Sequence, residues 1–327
     1  MTSSILAGQM RKIRQEAPKW QSCDREGKVS ESLCALVNDR GGKLRTSEWK
    51  YSKHPQDWDR FLAPYIATMS KSICISMELW ISTLNWDPSS GQKILKGNCG
   101  YSEFKQKMRN FNQGKTCGLD KNKSSWIDLI GTGELYLNQD NQMELQICME
   151  LVRLIIGALN ISRGPTTSGV IVGKTEDLCQ EVYRRLREWG GKELAMEIMG
   201  AWFTTSKWPK DDSGRIGIEG TDIFEMITEE IMGAHAGMKE LVCDYIQEEP
   251  EKAEVDWVPF QNAISEDTKG VSEIEEIEIT PDQIRDKEEQ LQQMIRNIKQ
   301  AQAQDREVRA EMVKLLVERR EKPESLR

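Results

Sequence analysis

Histidine is nearly absent from this sequence. His54 and His235 are the only two in 327 residues, and neither has a Cys-x-x-Cys beside it. That scarcity speaks against zinc sites and against Cys–His nucleophilic catalysis, which both need imidazole. Long apolar runs are missing too. The nearest approach, residues 145–161, is interrupted by Gln146, Glu150, Arg153 and Asn160, and falls short of the roughly 18 apolar residues a membrane span needs. The opening MTSSILAGQMRKIRQEAP reads as a basic amphipathic helix rather than a signal peptide, so a soluble chain without conventional secretion is expected. No Lys/Arg run is interleaved with aromatics, which leaves the mild basic excess of residues 1–120 as a solvated face and removes nucleic acid from the expected partners. No stretch of four or more alternating residues between turn signals marks a strand.

Large apolar side chains at helical spacing are abundant. In 57–86, Trp58, Phe61, Leu62, Tyr65, Ile66, Met69, Ile73, Met77, Trp80 and Leu84 recur at steps of three and four, the period of one helix face. A helix this apolar must be covered by others. Residues 139–161 form a second such stretch, apolar on more than half its circumference and therefore expected at the centre of a bundle. Shorter helices are expected at 2–16, ended by Pro18, at 30–37 and at 101–111. A helical pair, 175–189 and 193–203, is joined at Gly190-Gly191, and a last domain helix is expected over 221–247. The ten tryptophans supply large anchors for such a core. The expected fold class is all-α: a multi-helix Trp/Cys-rich bundle over 1–247, with a possible subdivision at the Gly/Ser/Thr-rich stretch 162–173.

Charge separates the rest of the chain from this domain. The formal net charge is −8, and residues 248–280 hold eleven acidic side chains against Lys252 and Lys269. Poor in aromatics and flanked by Pro250 and Pro281, this stretch reads as a disordered acidic linker. Residues 281–322 then carry a heptad-like seam of Ile284, Lys287, Leu291, Met294, Ile298, Ala301, Asp305, Val308, Met312 and Leu315. Two uses fit it equally: a coiled coil weakened by Lys287 and Asp305, or one amphipathic helix folded back on the domain.

Three patterns invite a chemical reading. Gly169 to Thr175, GVIVGKT, resembles a phosphate-binding loop but has three residues between its glycines where four are needed, and Ser168 stands in the first glycine's place. Asp120, Asn122, Ser124 and Asp128 match oxygen-ligand positions of a calcium loop, yet Ser125 replaces its turn glycine and Gly131 its bidentate Glu. Neither supports a cofactor or metal, and none is expected. The eight cysteines all precede the acidic stretch. Cys74, Cys148 and Cys179 lie among apolar residues, where a thiol behaves as a small hydrophobe. Cys23, Cys34, Cys99 and Cys117 lie in turn-rich stretches, and the pairs Cys99–Cys117 and Cys23–Cys34 are expected in an oxidising compartment.

The stretch from Cys148, CMELVRLIIGALN, is similar to an element of malaria-parasite multigene surface antigens, in which a cysteine opens an apolar helix ending in Ala-Leu. With its Trp- and Cys-studded helical body, the chain resembles the schizont-infected-cell agglutination group of Plasmodium or a related variant family. Arg184 to Glu188, RRLRE, fits the parasite export pentamer but lies inside an amphipathic helix, so it is read as helix. The resemblance implies an exported, antigenically variable, non-enzymatic protein and transfers no functional residue. The function expected is a protein–protein interaction, with a partner or through self-association of the C-terminal helix. The other reading is a cytosolic oligomeric scaffold whose core cysteines are reduced.

Overall fold

The structure is a computed structural model that describes residues 4–20, 32–39, 42–45, 62–87, 94–109, 117, 123–130, 132–159, 161–163, 170–172, 177–203, 217–219, 221–232, 243–245, 260–262 and 277–279. Among these residues, seven α-helices build the body: α1 (Ile5–Trp20), α2 (Leu33–Asn38), α3 (Leu62–Ile81), α4 (Tyr101–Arg109), α5 (Asp140–Ala158), α6 (Leu178–Trp202) and α7 (Ile223–Met232). The multi-helix bundle expected from periodicity is therefore present.

At its centre is α5, buried on every side from Gln142 to Ala158. Burial that ignores helical phase means neighbours all round, and α5 touches α1, α3 and α6. Its ion pairs set the direction of α1. Arg14 meets Asp140 and Arg11 meets Glu144 at 2.9 Å, so α1 runs antiparallel to α5. Helix α3 lies along another side of α5, burying Ile66, Ile73, Met77 and Trp80. The Trp80 indole donates to the Cys99 carbonyl at 3.0 Å and packs edge-on against Tyr101, which fixes α4 to the end of α3.

Local chemistry sets the helix limits. Ser32 caps α2 by accepting from the Ala35 amide, and Asp177 caps α6 by accepting from the Gln180 amide at 2.9 Å. Asp222 and Glu225 exchange backbone-to-side-chain bonds of 2.7 and 3.2 Å at the start of α7, a reciprocal capping box. Helix α1 runs on through Pro18 to Trp20, beyond the stop expected at that proline. A proline one turn from a helix end gives up a single hydrogen bond, and the burial of Ala17 holds the turn.

Short strands, which the sequence did not announce, line the margins of the bundle. Strand β1 (Lys43–Arg45) pairs with β4 (Glu134–Tyr136). Strand β3 (Ile94–Lys96) lies between antiparallel β2 (Asn85–Trp86) and parallel β7 (Gly217–Ile218). Strand β6 (Val170–Val172) lies between β5 (Ile161–Arg163) and β10 (Ile277–Ile279), and β8 (Cys243–Tyr245) pairs with β9 (Phe260–Asn262). Of the helix expected over 221–247, Ile223–Met232 are α7, while Cys243–Tyr245 are strand β8 instead. Within the acidic stretch 248–280, expected as a disordered linker, Phe260–Asn262 and Ile277–Ile279 are strands, and the rest lies outside the described residues. Main-chain pairing takes no account of side-chain charge, so an acidic segment can complete a neighbour's ladder. The seam from Ile284 to Leu315 lies outside the described residues.

The cysteines bring the largest correction. Cys74 bonds Cys148 and ties α3 to α5, with Cα atoms 6.1 Å apart. Cys179 bonds Cys243 and ties α6 to β8 at a Cα separation of 5.6 Å. These three helical cysteines, read from sequence as buried thiols, are bonded as disulfides, so the structure lends no support to reduced core cysteines. Apolar surroundings did not distinguish a thiol from a half-cystine, because both are buried. Cys99 bonds Cys117 with Cα atoms 5.6 Å apart, and Cys34 is also disulfide-bonded. Cys23 lies outside the described residues. None of the described cysteines is free.

Candidate functional site

A groove of about 980 Å³ runs along α1 and the second half of α6. Both helices line it at helical spacing: Ile5, Gln9, Lys12, Glu16 and Trp20 from α1, and Met196, Gly200 and Ala201 from α6. The two run antiparallel, since Lys12 pairs with Glu197 at 2.9 Å and the Trp202 indole donates to Gln9 at 2.9 Å. Helix α1 thus presents two faces. Met10 and Ile13 are buried in the core, Leu6 is buried at the base of the groove, and Ile5 and Trp20 are only partly covered and border it.

The far wall is the small β2–β3–β7 sheet. Leu95 of β3 and Ile218 of β7 line the groove and are paired in register. Directly paired residues point to the same face of a sheet. Trp86 of β2 is paired with Leu95, so it extends this apolar row outward, and it is 51% exposed. Charged side chains at the rim are of both signs, Lys12, Glu16, Lys192, Glu193 and Glu197. An apolar floor with a mixed-charge rim suits an amphipathic partner and offers no anion or cation cradle.

Buried charges elsewhere serve the fold. Glu144 on α5 has no exposed side-chain surface and is held by Arg11 and Arg14. Glu78 on α3 accepts from the Ser124 hydroxyl and from the Ser125 amide at 2.7 Å. Burial pushes the Glu78 carboxyl up, and these bonds, with others from Ser4 and the Trp126 amide, oppose that rise. Tyr101 donates to Glu230 at 2.7 Å, and Lys105 pairs with the same carboxylate at 2.8 Å. Burial pushes the Asp222 carboxyl well above the usual carboxylate range. Lys71 on α3 is buried and donates to the Thr132 carbonyl and hydroxyl, and desolvation brings its ammonium down to about 8. Glu78, Glu144, Glu230 and Lys71 are each bonded to side chains or main chain of neighbouring elements.

Val170 to Val172, inside GVIVGKT, form the middle strand of a sheet instead of a loop opening a helix, and Lys174 lies outside the described residues. Of the calcium-loop positions, Ser124 donates to Glu78 and accepts from the Ile127 amide, a local turn, while Asp120 and Asn122 lie outside the described residues. In the pentamer 184–188, Leu186 is buried and Arg184 pairs with Glu181 and Glu188, as on an ordinary amphipathic helix. Among the described residues, no group of His, Cys, Asp and Glu could hold a metal ion, and no helix is long and apolar enough to cross a membrane. Sequence reasoning did not find the groove, because Leu95 and Ile218 sit in strands of three and two residues, too short to show alternation. Comparison with known proteins adds no guide: no family model, no curated protein and no solved structure matches the chain.

Proposed function

We propose that this chain is a non-enzymatic interaction protein that works outside the reducing cytosol, as a variant surface antigen of the malaria-parasite type. One observation carries the reading: disulfides cross-link the bundle itself, α3 to α5 and α6 to β8, with a third closing the loop between Cys99 and Cys117. Such bonds form and persist in oxidising compartments and are rare where glutathione keeps thiols reduced. The similarity of CMELVRLIIGALN to the parasite antigens points the same way, and its first residue, Cys148, is one of the bonded cysteines. The partner is a protein, or a second copy engaged through 281–322.

Two measurements test this. Protein isolated from its native source under rapid alkylation should show no free thiol at Cys74, Cys99, Cys117, Cys148, Cys179 or Cys243, and eight free thiols would overturn the oxidising setting. Antibodies to the folded, oxidised body should stain intact infected cells without permeabilisation. Staining that needs permeabilisation would overturn surface display.

A further inference from the structure

We propose that residues 124–130, with Thr132 beyond them, form a pH-gated strap on α3, seated least firmly near neutrality because closing it buries two lone opposite charges. Three observations carry this. The first is placement. Glu78 accepts from the Ser124 hydroxyl and the Ser125 amide, and Lys71 donates to the Thr132 carbonyl and hydroxyl. Positions 71 and 78 stand two turns apart on one face of α3, so the strap runs back along that face. An ionisable group fastens each end of it. The second is isolation. Glu78 and Lys71 are both buried, and their bonds go to neutral groups. Seven residues of helix separate them by about 10 Å, too far for an ion pair. Among the described residues, the buried and half-buried charges of α1, α4, α5 and α7, which pack on α3, have partners of their own. Arg11 and Arg14 of α1 hold Glu144 of α5, Glu16 pairs with Lys19, and Arg153 lies beside Glu150 on α5. Lys105 of α4 pairs with Glu230 of α7, Glu229 accepts from Ser102, and Glu225 and Asp222 cap α7 together. Glu134 stands opposite Arg45 in the β1–β4 ladder, while Glu103, Lys123 and Asp128 are exposed.

Burial, and none of these charges, dominates both groups. It pushes the Glu78 carboxyl up against the pull of its bonds, and it brings the Lys71 ammonium down to about 8. The third observation is on the strap itself. Trp126 is fully buried, yet its indole nitrogen has no hydrogen-bond partner. Lifting the strap returns that nitrogen and both charges to water, while the buried side chains of Trp126, Ile127 and Leu129 hold it down. Opening also restores Glu78 and Lys71 to ordinary values near 4.5 and 10.5. The closed strap therefore keeps a proton on Glu78 more readily than the open one, so acidification seats it. It also gives up the Lys71 proton more readily, so a rise of pH through 8 seats it again. Between these limits both groups are charged, and opening is most frequent.

The test is hydrogen exchange of the full, oxidised chain at about pH 5, 7 and 9, each rate referred to that of the unfolded chain at the same pH. Near pH 7 the strap should be about tenfold or more less protected than α5, because it opens without the bundle. Peptides covering 124–132 should be about tenfold better protected near pH 9 than near pH 7, the factor set by a lysine moved from 10.5 to about 8. They should also be better protected near pH 5 than near pH 7. Lys71→Met should abolish the alkaline rise alone, and Glu78→Gln the acid rise alone. A strap no better protected at either extreme than near pH 7 overturns the proposal, as does an alkaline rise that survives Lys71→Met. So does a strap as well protected as α5 near pH 7, which would open only with the whole bundle. Should either variant fail to fold, the wild-type profile and its comparison with α5 still decide.

Discussion

Lys71 gives the sharpest test at the level of a single residue. Its ammonium is buried on α3 and bonded to Thr132, and desolvation lowers it to about 8 from an ordinary value near 10.5. The folded chain thus gives up this proton earlier than the unfolded chain. Between those two values the unfolded state binds more protons, so stability rises with pH there. Below pH 8 both states hold the proton and the cost of burying it is paid in full. The rise amounts to roughly 2 kcal/mol between pH 8 and pH 10. Urea unfolding of the wild type and of Lys71→Met across this range should give a stability difference that changes with pH in this direction, and a flat difference would refute the assignment. None of this was legible in the sequence. Lys71, Glu78 and Glu144 each stand on a strongly apolar helix, where a lone charge reads as marking the solvated side until the neighbouring elements are placed over it. What covers Glu144 is α1, more than a hundred residues away in the chain.

At the level of elements, the pair Gly190-Gly191 is where α6 kinks, just before the part of it that lines the groove. Gly191 has φ 89°, inside the left-handed region, and the helix is kinked there. Gly190 is buried against Leu194, and a Cβ on it would lie 1.9 Å from Leu194 Cδ2 and 3.0 Å from Cγ. The two alanine substitutions therefore fail for different reasons. Gly191→Ala meets a backbone cost of about 1–3 kcal/mol, since φ 89° with ψ 172° is a conformation essentially reserved for glycine, and Gly190→Ala meets overpacking of about 1–3 kcal/mol. Denaturant unfolding with disulfides intact should register both losses, and a variant as stable as the wild type would show that the kink relaxes freely. Here the sequence was informative: a Gly-Gly step between two apolar periodic stretches gave the helical pair and its joint. The centrality of 139–161 was equally legible, because apolar residues cover so much of its circumference. The strands were not, since their pairing partners come from distant segments and each offers only two or three residues of pattern.

At the level of the whole molecule, the disulfides differ in what they hold together. Cys99–Cys117 closes a separation of 18 residues at the edge of the bundle, and its two residues keep a little exposure, 7% and 4%. Cys74–Cys148 spans 74 residues, joins α3 to the central helix, and both its residues are fully buried. Thiolate attack needs access to a sulfur, so under native conditions a limiting reductant should open Cys99–Cys117 before Cys74–Cys148. Cys74–Cys148 can react only when α3 parts from α5, which removes the packing of the core. Its loop is long enough that its loss adds about 4 kcal/mol of chain entropy to the unfolded state. Timed alkylation followed by peptide mapping should thus find Cys99 and Cys117 labelled while near-ultraviolet dichroism of the buried tryptophans persists. Labelling at Cys74 and Cys148 should appear together with loss of that signal. If Cys74 and Cys148 are labelled first, or while the tryptophan signal is intact, the α3–α5 contact opens independently of the rest and the bundle is not one cooperative unit.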